Sequence, residues 1–480
     1  MRKMTNLKKL ICGIVWAAAC FCATPVVAQE QSEEKPKPAA RDYGPLVETG
    51  DDITGAEQST GVIQPDSLPA SGMQNLTLGT PPMRHSYVVP GIQYGNTYSS
   101  GGTGSTGTGT KPGWNTTSFV SGNVSLLQEW SYSALSVNYS GGGYFSTDKA
   151  QGNGQYQQFA ATYEIDRKRW RALLIDQFSL LPESSFGFGG TTGLSTPGIG
   201  GSLNAPQAGL QNNYLPNQSI FAGTGSRYSN STAVQFSYQL STRGVVTLGG
   251  AYGMLRFANP GGASNDSDMF NAGYDYALTA RNSVGLSYGF SAFRFPGAPQ
   301  AIGDHVAHVV FGRRITGKMA LRLAGGPEIT TFRVPTGGLS QRISGSGTAS
   351  LTYALAHSNV MLDYMHLVSG GGGIFNGANT DQVDVALTKQ LSRVWSGHVT
   401  VGYARNRQLS GPTPSTNSDS WFTGAGLSRP LTRSANVSFG YQSQIQSASG
   451  AACNLNCART YTSHQIIVSL QWHMLPFVLR

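Results

Sequence analysis

The stretch HQIIVSLQWHM, residues 464–474, alternates between apolar and polar side chains. Four apolar residues fall on one face of an extended chain and four polar residues on the other: Ile466, Val468, Leu470 and Trp472 against Gln465, Ser469, Gln471 and His473. Side chains that alternate with a period of two point to opposite sides of a β-strand. The segment therefore predicts a strand with one apolar and one wet face.

The same period recurs along most of the chain. Apolar residues alternate with Ser, Thr, Gln and Gly in the following segments: 158–165, 234–240, 270–278, 283–290, 383–387, 399–403 and 437–441. The apolar faces mix aliphatic residues with Tyr, Phe or Trp, whereas the wet faces carry few charges. Repeated strands of this kind predict an all-β protein.

Short and long connections alternate between these strands. Short polar turns are predicted at 166–168, 241–243, 280–282, 316–318, 357–359, 391–393 and 431–433, and long loops at about 182–227, 257–268, 295–304, 326–340, 369–379, 408–418 and 446–460. With the final strand, a pair near 117–130 and 133–145 and a first strand near 86–96, this gives 16 to 18 strands. Turns at one end and loops at the other predict a polarised series of hairpins.

The composition excludes several other classes of protein. Only 12% of residues are charged, where about 25% is typical, and 62 residues are glycine. A hydrophobic share of 39% disfavours a helical bundle or a helical membrane protein. The 21 Tyr, 20 Phe and 7 Trp disfavour disorder over most of the length.

The first 28 residues read as a secretory signal peptide, with a basic leader, an apolar run and a small-residue exit at Ala28. Its removal takes four of 33 basic residues and none of 24 acidic ones, leaving a net charge of +5. That charge is weak support for a nucleic-acid partner, and none is predicted. Residues 29–83 are polar and Pro-rich, which predicts a periplasmic tail or linker.

Three of the five cysteines lie within the predicted signal peptide. The remaining pair, Cys453 and Cys457, are separated by only three residues. In an exported chain such a pair predicts a small disulfide loop rather than a metal site, which would need further ligands nearby.

An apolar face repeated over some sixteen strands must be buried against something. The wet face of a soluble sandwich normally carries Lys and Glu, which are scarce here, so we expect lipid on the apolar side and water on the other. A sheet can span a membrane only as a closed barrel, because every backbone polar group must be paired. We therefore predict a transmembrane antiparallel up-and-down β-barrel.

From about residue 85 to the end, the chain resembles the outer-membrane β-barrel proteins of Gram-negative bacteria, and porins in particular. The resemblance rests on the signal peptide, the alternating strands, the short and long connections and the final strand HQIIVSLQWHM. It implies an outer-membrane barrel over residues 84–480, with short periplasmic turns, long outer loops and outer-membrane lipid around it.

The sequence offers no convincing set of residues for a catalytic, nucleotide-binding or metal site. The motif G-x-G-x-x-G at 102–107 lies in a Gly/Thr-rich loop, and the P-loop-like 312–318 lacks the required Ser or Thr. Asp363 and His366 are not accompanied by a nucleophile elbow, and a solvated loop is favoured over a calcium site at 265–268. No enzymatic activity, cofactor or metal is predicted.

The remaining candidates are polar residues that alternation sends into the barrel. These predicted pore-lining residues are Glu164, Arg171, Arg322, Asp363, Asp384, His398, Gln471 and His473. They predict a porin-like channel for passive passage of small hydrophilic solutes. Loop 182–227 either folds inward as a constriction or stays outside.

Two alternatives remain open at this stage. One is an outer-membrane barrel that serves as a surface adhesin or assembly scaffold, and the other is a soluble secreted all-β carbohydrate-binding protein. The sequence does not decide the permeant solute, or whether copies of the chain associate into a homo-oligomer.

Overall fold

A computed structural model describes residues 86–100, 114–147, 152–183, 225–258, 262–333, 338–355, 357–371, 375–409, 417–449, 460–475 and 477–478. All of them belong to one compact unit, Gly44–Arg480. The predicted signal peptide, the whole of the predicted tail, residues 184–224 of the predicted loop 182–227, and Cys453 and Cys457 lie outside the described residues. No helix in the described part of the chain is long and apolar enough to cross a membrane.

The described residues form eighteen long strands and one two-residue strand. In chain order they are β1 Tyr87–Ser100, β2 Trp114–Glu129, β3 Ser133–Ser146, β4 Gly154–Asp166, β5 Trp170–Glu183, β6 Gly225–Gln239, β7 Gly244–Phe257, β8 Asn265–Ala277, β9 Asn282–Arg294, β10 Ala301–Thr316, β11 Met319–Arg333, β12 Leu339–Leu355, β13 Ser358–Ser369, β14 Ala378–Gln390, β15 Ser396–Gln408, β16 Asn417–Pro430, β17 Ala435–Ser449, β18 Thr460–His473 and β19 Phe477–Val478.

Every long strand pairs antiparallel with its neighbours in sequence, and the sheet closes on itself. The closure joins β1 to β18, with Ile92 opposite Trp472 and Ser100 opposite His464. The short β19 continues this seam, since Phe477 pairs with Val88. Each long strand therefore has a partner on both sides, although Leu339–Ser346 of β12 extend beyond the ladder with β13, which begins at Gly347. Pairing on both sides satisfies the backbone along the rest of the described wall without water. The predicted up-and-down barrel of 16 to 18 strands is confirmed.

The two faces of the barrel differ sharply in polarity. Large apolar side chains of the outer face stay exposed in the isolated barrel, as for Leu286 at 64% and Val309 at 61%. Their neighbours on the inner face are small and polar, and Thr247 and Gln382 are each 0% exposed. Outward apolar and inward polar side chains are the pattern of a transmembrane barrel of the outer-membrane type.

The eight short connections all lie at one end of the barrel, with the chain entering β1 and leaving β18 at the same end. Several are closed by backbone hydrogen bonds, such as Leu391 N to Trp395 O at 2.9 Å and Leu431 N to Ala435 O at 2.8 Å. Six of the eight contain Arg or Lys, and none contains Asp or Glu. This end is therefore basic.

Several predicted loops begin or end differently in the structure: β10 already begins at Ala301, within the loop predicted at 295–304, and β17 continues to Ser449, within the loop predicted at 446–460. The loop predicted at 326–340 starts too early, because β11 continues to Arg333. Glycine at position 326 lets the strand continue, because the Cβ of any other residue there would lie 2.0 Å from the carbonyl oxygen of Ala307. Pro327, which lacks an N–H, falls where the β10–β11 pairing is interrupted between Val306 and Val309.

The loop predicted at 257–268 is likewise shorter. Residues 265–268 are the start of β8, and their side chains form ion pairs rather than a solvated loop: Asp266 with Arg256, and Asp268 with Arg294.

Candidate functional site: the inner wall

The inner wall is lined mainly by uncharged polar side chains. Residues with amide and hydroxyl groups face inward from almost every strand, among them Gln93, Thr97, Ser121, Asn138, Gln158, Gln235, Thr247, Asn271, Ser350, Gln382, Thr400, Gln442, Gln465 and Ser469. Several bond to one another across strands, such as Ser438 Oγ to Ser469 Oγ at 2.6 Å. Such groups offer both donors and acceptors to water or to a polar solute.

Glu164 and Arg171 form an ion pair on the inner wall. The Arg171 Nη2 lies 2.6 Å from Glu164 Oε1, and both side chains are about one quarter exposed, at 26% and 27%. Arg171 stands opposite Asp166 in the β4–β5 ladder, so it lies between two carboxylates. Both predicted candidates therefore lie on the inner face, near the short-turn end.

Arg322, Asp363 and Asp384 lie in one row of the wall. Arg322 pairs with Ser350, Ser350 with Asp363, and Asp363 with Asp384, on β11 to β14. The two carboxylates are directly opposite each other, an arrangement that is destabilising without compensation. Gln382 provides part of that compensation by donating from Nε2 to Asp384 Oδ2 at 2.6 Å.

The other three predicted candidates also face inward, but they lie on different strands. His398 on β15 lies over Gly426, where an added Cβ would be 2.3 Å from the imidazole Cε1. Gln471 pairs with Gln93, and His473 with Gly91, beside the closure of the barrel. All eight candidates thus share the inner face, and they are spread around it rather than gathered into one cluster.

Several inward carboxylates were not predicted, among them Asp275, Asp304 and Glu328. Asp304 accepts from Thr330 Oγ1 at 3.0 Å, and Glu328 accepts from Ser344 Oγ at 2.7 Å. Asp275 is 4% exposed, and its carboxylate occupies the space that a side chain at Gly285 would fill. Alternation could have found Asp275, because it falls between two outward tyrosines. Asp304 and Glu328 fall within segments predicted to be loops, at 295–304 and 326–340, so the pattern gave no signal for them.

Apolar groups also occur on the inner wall, toward the long-loop end. One buried cluster comprises Phe119, Tyr144, Tyr156 and Leu181, with the Phe119 and Tyr156 rings 6.5 Å apart at 79°. A second comprises Phe293, Phe295, Ile302 and Val368. The expectation of a uniformly wet inner face is therefore too simple for this end of the barrel.

Aromatic residues form a belt at each end of the apolar outer band. On the short-turn side, Trp170 lies 5.9 Å from Phe236. On the long-loop side, five outward tyrosines bond to an Asp or His farther out on the neighbouring strand: Tyr252 to Asp266, Tyr288 to His305, Tyr364 to Asp381, Tyr403 to Asp419 and Tyr441 to His464. Rings in lipid with polar tips in water mark the membrane interface.

Asp363 and His366, the two residues that could suggest a hydrolase, point to opposite sides of the barrel wall. Asp363 faces inward, whereas His366 faces outward and bonds through Nδ1 to Asp381 Oδ1 at 2.5 Å. Arg407 completes that outer cluster at 3.0 Å from Asp381. Within the described ranges, no three His, Cys, Asp or Glu side chains are arranged to hold a metal ion.

No protein-family model matches the chain, and no curated protein is significantly similar to it. Among solved structures, it is similar to outer membrane protein OpdK of Pseudomonas aeruginosa, at 12% identity and a TM-score of 0.40 over 81% of this chain and 99% of that one.

Two further solved structures are similar to the chain. OccAB1 of Acinetobacter baumannii is 11% identical at a TM-score of 0.42, over 81% of this chain and 97% of that one. A BenF-like porin of Pseudomonas fluorescens Pf-5 is 8% identical at a TM-score of 0.42, over 82% of this chain and 99% of that one.

Proposed function

We propose that this chain is a porin-like channel of the outer membrane, through which small hydrophilic solutes pass passively. The observation that carries the proposal is the opposition of the two faces on a closed barrel of eighteen long strands. Lipid covers the apolar band between the belts, and water and solute meet the polar wall. A barrel of 16 to 18 strands encloses an aqueous lumen unless its loops fill it.

The chemistry of the wall supports passage of a broad class of solutes. Amide and hydroxyl groups replace part of a solute's hydration without holding it tightly, and charges of both signs are present near one another, as in Glu164 and Arg171. We propose Glu164, Arg171, Arg322, Asp363, Asp384, His398, Gln471 and His473 as pore-lining residues. Charged side chains at a pore wall bias which ions pass.

Single-channel recording of the purified, refolded protein in a planar bilayer tests this proposal. We expect stepwise conductance for the wild type. In a salt gradient, Gln471→Lys should move the reversal potential toward anion preference, because it adds a cation to the wall. Thr432→Lys, in a short turn, is the matched control and should move it less. A closed baseline at all voltages would contradict the channel.

A further inference from the structure

Two inward carboxylates, those of Asp304 on β10 and Glu328 on β11, are neighbours on the inner wall. Asp304 stands opposite Thr330 and Glu328 opposite Val306, so the two lie diagonally across adjacent strands. Side chains in diagonal positions are within reach of each other, and these two carboxylates repel each other electrostatically. Asp304 is 5% exposed and Glu328 is 0% exposed. The wall therefore holds two acidic groups together, out of contact with bulk water.

Two hydroxyl groups bond to this pair, each to one carboxylate oxygen. Thr330 Oγ1 donates to Asp304 Oδ1 at 3.0 Å, and Ser344 Oγ donates to Glu328 Oε2 at 2.7 Å. The other oxygen of Glu328, Oε1, is buried and has no hydrogen-bond partner among the described residues. A buried polar atom without a partner costs free energy. Glu328 Oε1 is thus available to a ligand at this place.

Within the described strands, no cationic side chain forms an ion pair with Asp304 or Glu328. Arg342 on β12 stands opposite Thr330, but it is exposed and is not joined to either carboxylate. Glu164, in contrast, has Arg171 at 2.6 Å. Buried charges are normally paired or coordinate metals. The pair on β10 and β11 therefore lacks a cation.

The backbone around the pair is incompletely hydrogen-bonded. The β10–β11 pairing is interrupted between Val306 and Val309. On the other side of β11, Ser344 belongs to Leu339–Ser346, the part of β12 that extends beyond the ladder with β13. A ligand held by both Asp304 and Glu328 would link β10 to β11 beside the interruption.

We propose that Asp304 and Glu328 bind a divalent metal cation, and that the ion is Ca²⁺. Two carboxylates match its double charge, and Ca²⁺ accepts oxygen ligands in flexible geometry. Mg²⁺ gives up its water reluctantly, which disfavours it beside the fully buried side chain of Glu328. Hydroxyl, main-chain or water oxygens would complete the coordination. The site does not depend on whether the barrel conducts.

The test is calorimetric titration of the metal-free, refolded full chain with CaCl₂ in a nonionic detergent. We expect one Ca²⁺ per chain for the wild type. Glu328→Gln should weaken the affinity by about tenfold or more, because it removes one ligand charge. Asp266→Asn is the matched control, because it removes an outward carboxylate that already has Arg256 as its partner. This control should leave the affinity unchanged.

Asp304→Asn provides a second variant should Glu328→Gln fail to fold, as judged by far-ultraviolet circular dichroism, and it should weaken binding similarly. In the wild type, Ca²⁺ should also slow amide hydrogen exchange around Val306–Val309, because it ties the two strands together. A wild-type chain that binds no Ca²⁺ would overturn the proposal. Binding that survives both substitutions, or that leaves exchange at 306–309 unchanged, would overturn it equally.

Discussion

At the scale of the residue, the position of a side chain in the alternation of apolar and polar residues determines whether it faces outward or into the barrel. Leu286 and Ser287 are adjacent on β9, yet Leu286 is 64% exposed on the outer face and Ser287 is 7% exposed on the inner face. Ser287 stands opposite Gly273, which leaves room beside it. One step along the chain therefore exchanges lipid for the polar wall.

This difference gives a direct prediction. Leu286→Lys places an ammonium among lipid tails and should lower the free energy of unfolding by about 2–4 kcal/mol. Ser287→Lys extends into the lumen and should cost less than about 1 kcal/mol. Urea unfolding of both variants in lipid vesicles measures the two values, and equal costs would show that the faces are wrongly assigned.

The alternation also explains which candidate residues could be predicted. Glu164, Asp384 and Gln471 could be placed inward because each lies in a strand with clear apolar neighbours. Asp304 and Glu328 lie beside Gly303 and Pro327, which weaken the alternating pattern there. Asp176 breaks the rule in the opposite direction, because it shares its face with leucine and phenylalanine. A period of two cannot predict such a local reversal.

At the scale of the element, glycines set how closely strands approach. Gly142 in β3 faces the backbone of β2, and an added Cβ would lie 1.9 Å from the carbonyl oxygen of Val120. Gly122 in β2 has nothing within 4 Å of the same position. The glycines that weaken these strands in the sequence are therefore of two kinds, and only the first requires the absence of a side chain.

Alanine substitution should distinguish these two kinds of glycine. Gly142→Ala forces β2 and β3 apart and should destabilise the barrel by about 1–3 kcal/mol. Gly122→Ala should change the free energy of unfolding by less than about 1 kcal/mol, because alanine fits there and also restrains the unfolded chain. Unfolding curves in urea provide the measurement, and a neutral Gly142→Ala would contradict the packing at this site.

The connections define the orientation of the elements in the membrane. We predict that the basic short turns lie in the periplasm and the long connections outside. A bulky membrane-impermeant maleimide should label Pro299→Cys, in the β9–β10 connection, on intact cells. It should label Thr432→Cys, in a short turn, only after permeabilisation.

The chain without added cysteines is the background control for this labelling. It should remain unlabelled if Cys453 and Cys457 form the predicted disulfide. Labelling of Thr432→Cys but not Pro299→Cys on intact cells would reverse the orientation.

At the scale of the whole molecule, the number and order of strands follow from counting hairpins, because each strand pairs with its neighbours in sequence. The closure of β1 on β18 and β19 is a long-range pairing that the sequence does not mark locally. Loop limits were less predictable, since glycine and proline at 325–327 look like a loop but are accommodated within a strand. The apolar clusters around Phe119 and Phe293 also escaped prediction, because they depend on how the loop end is packed.

The central claim is that lipid surrounds the barrel and water fills it. Planar-bilayer recording with a panel of salts and neutral sugars tests this claim most directly. We predict discrete conductance steps that fall as sugars small enough to enter the lumen are added, and recover with sugars too large to enter. Folded, membrane-inserted protein with no conductance at any voltage would contradict the claim.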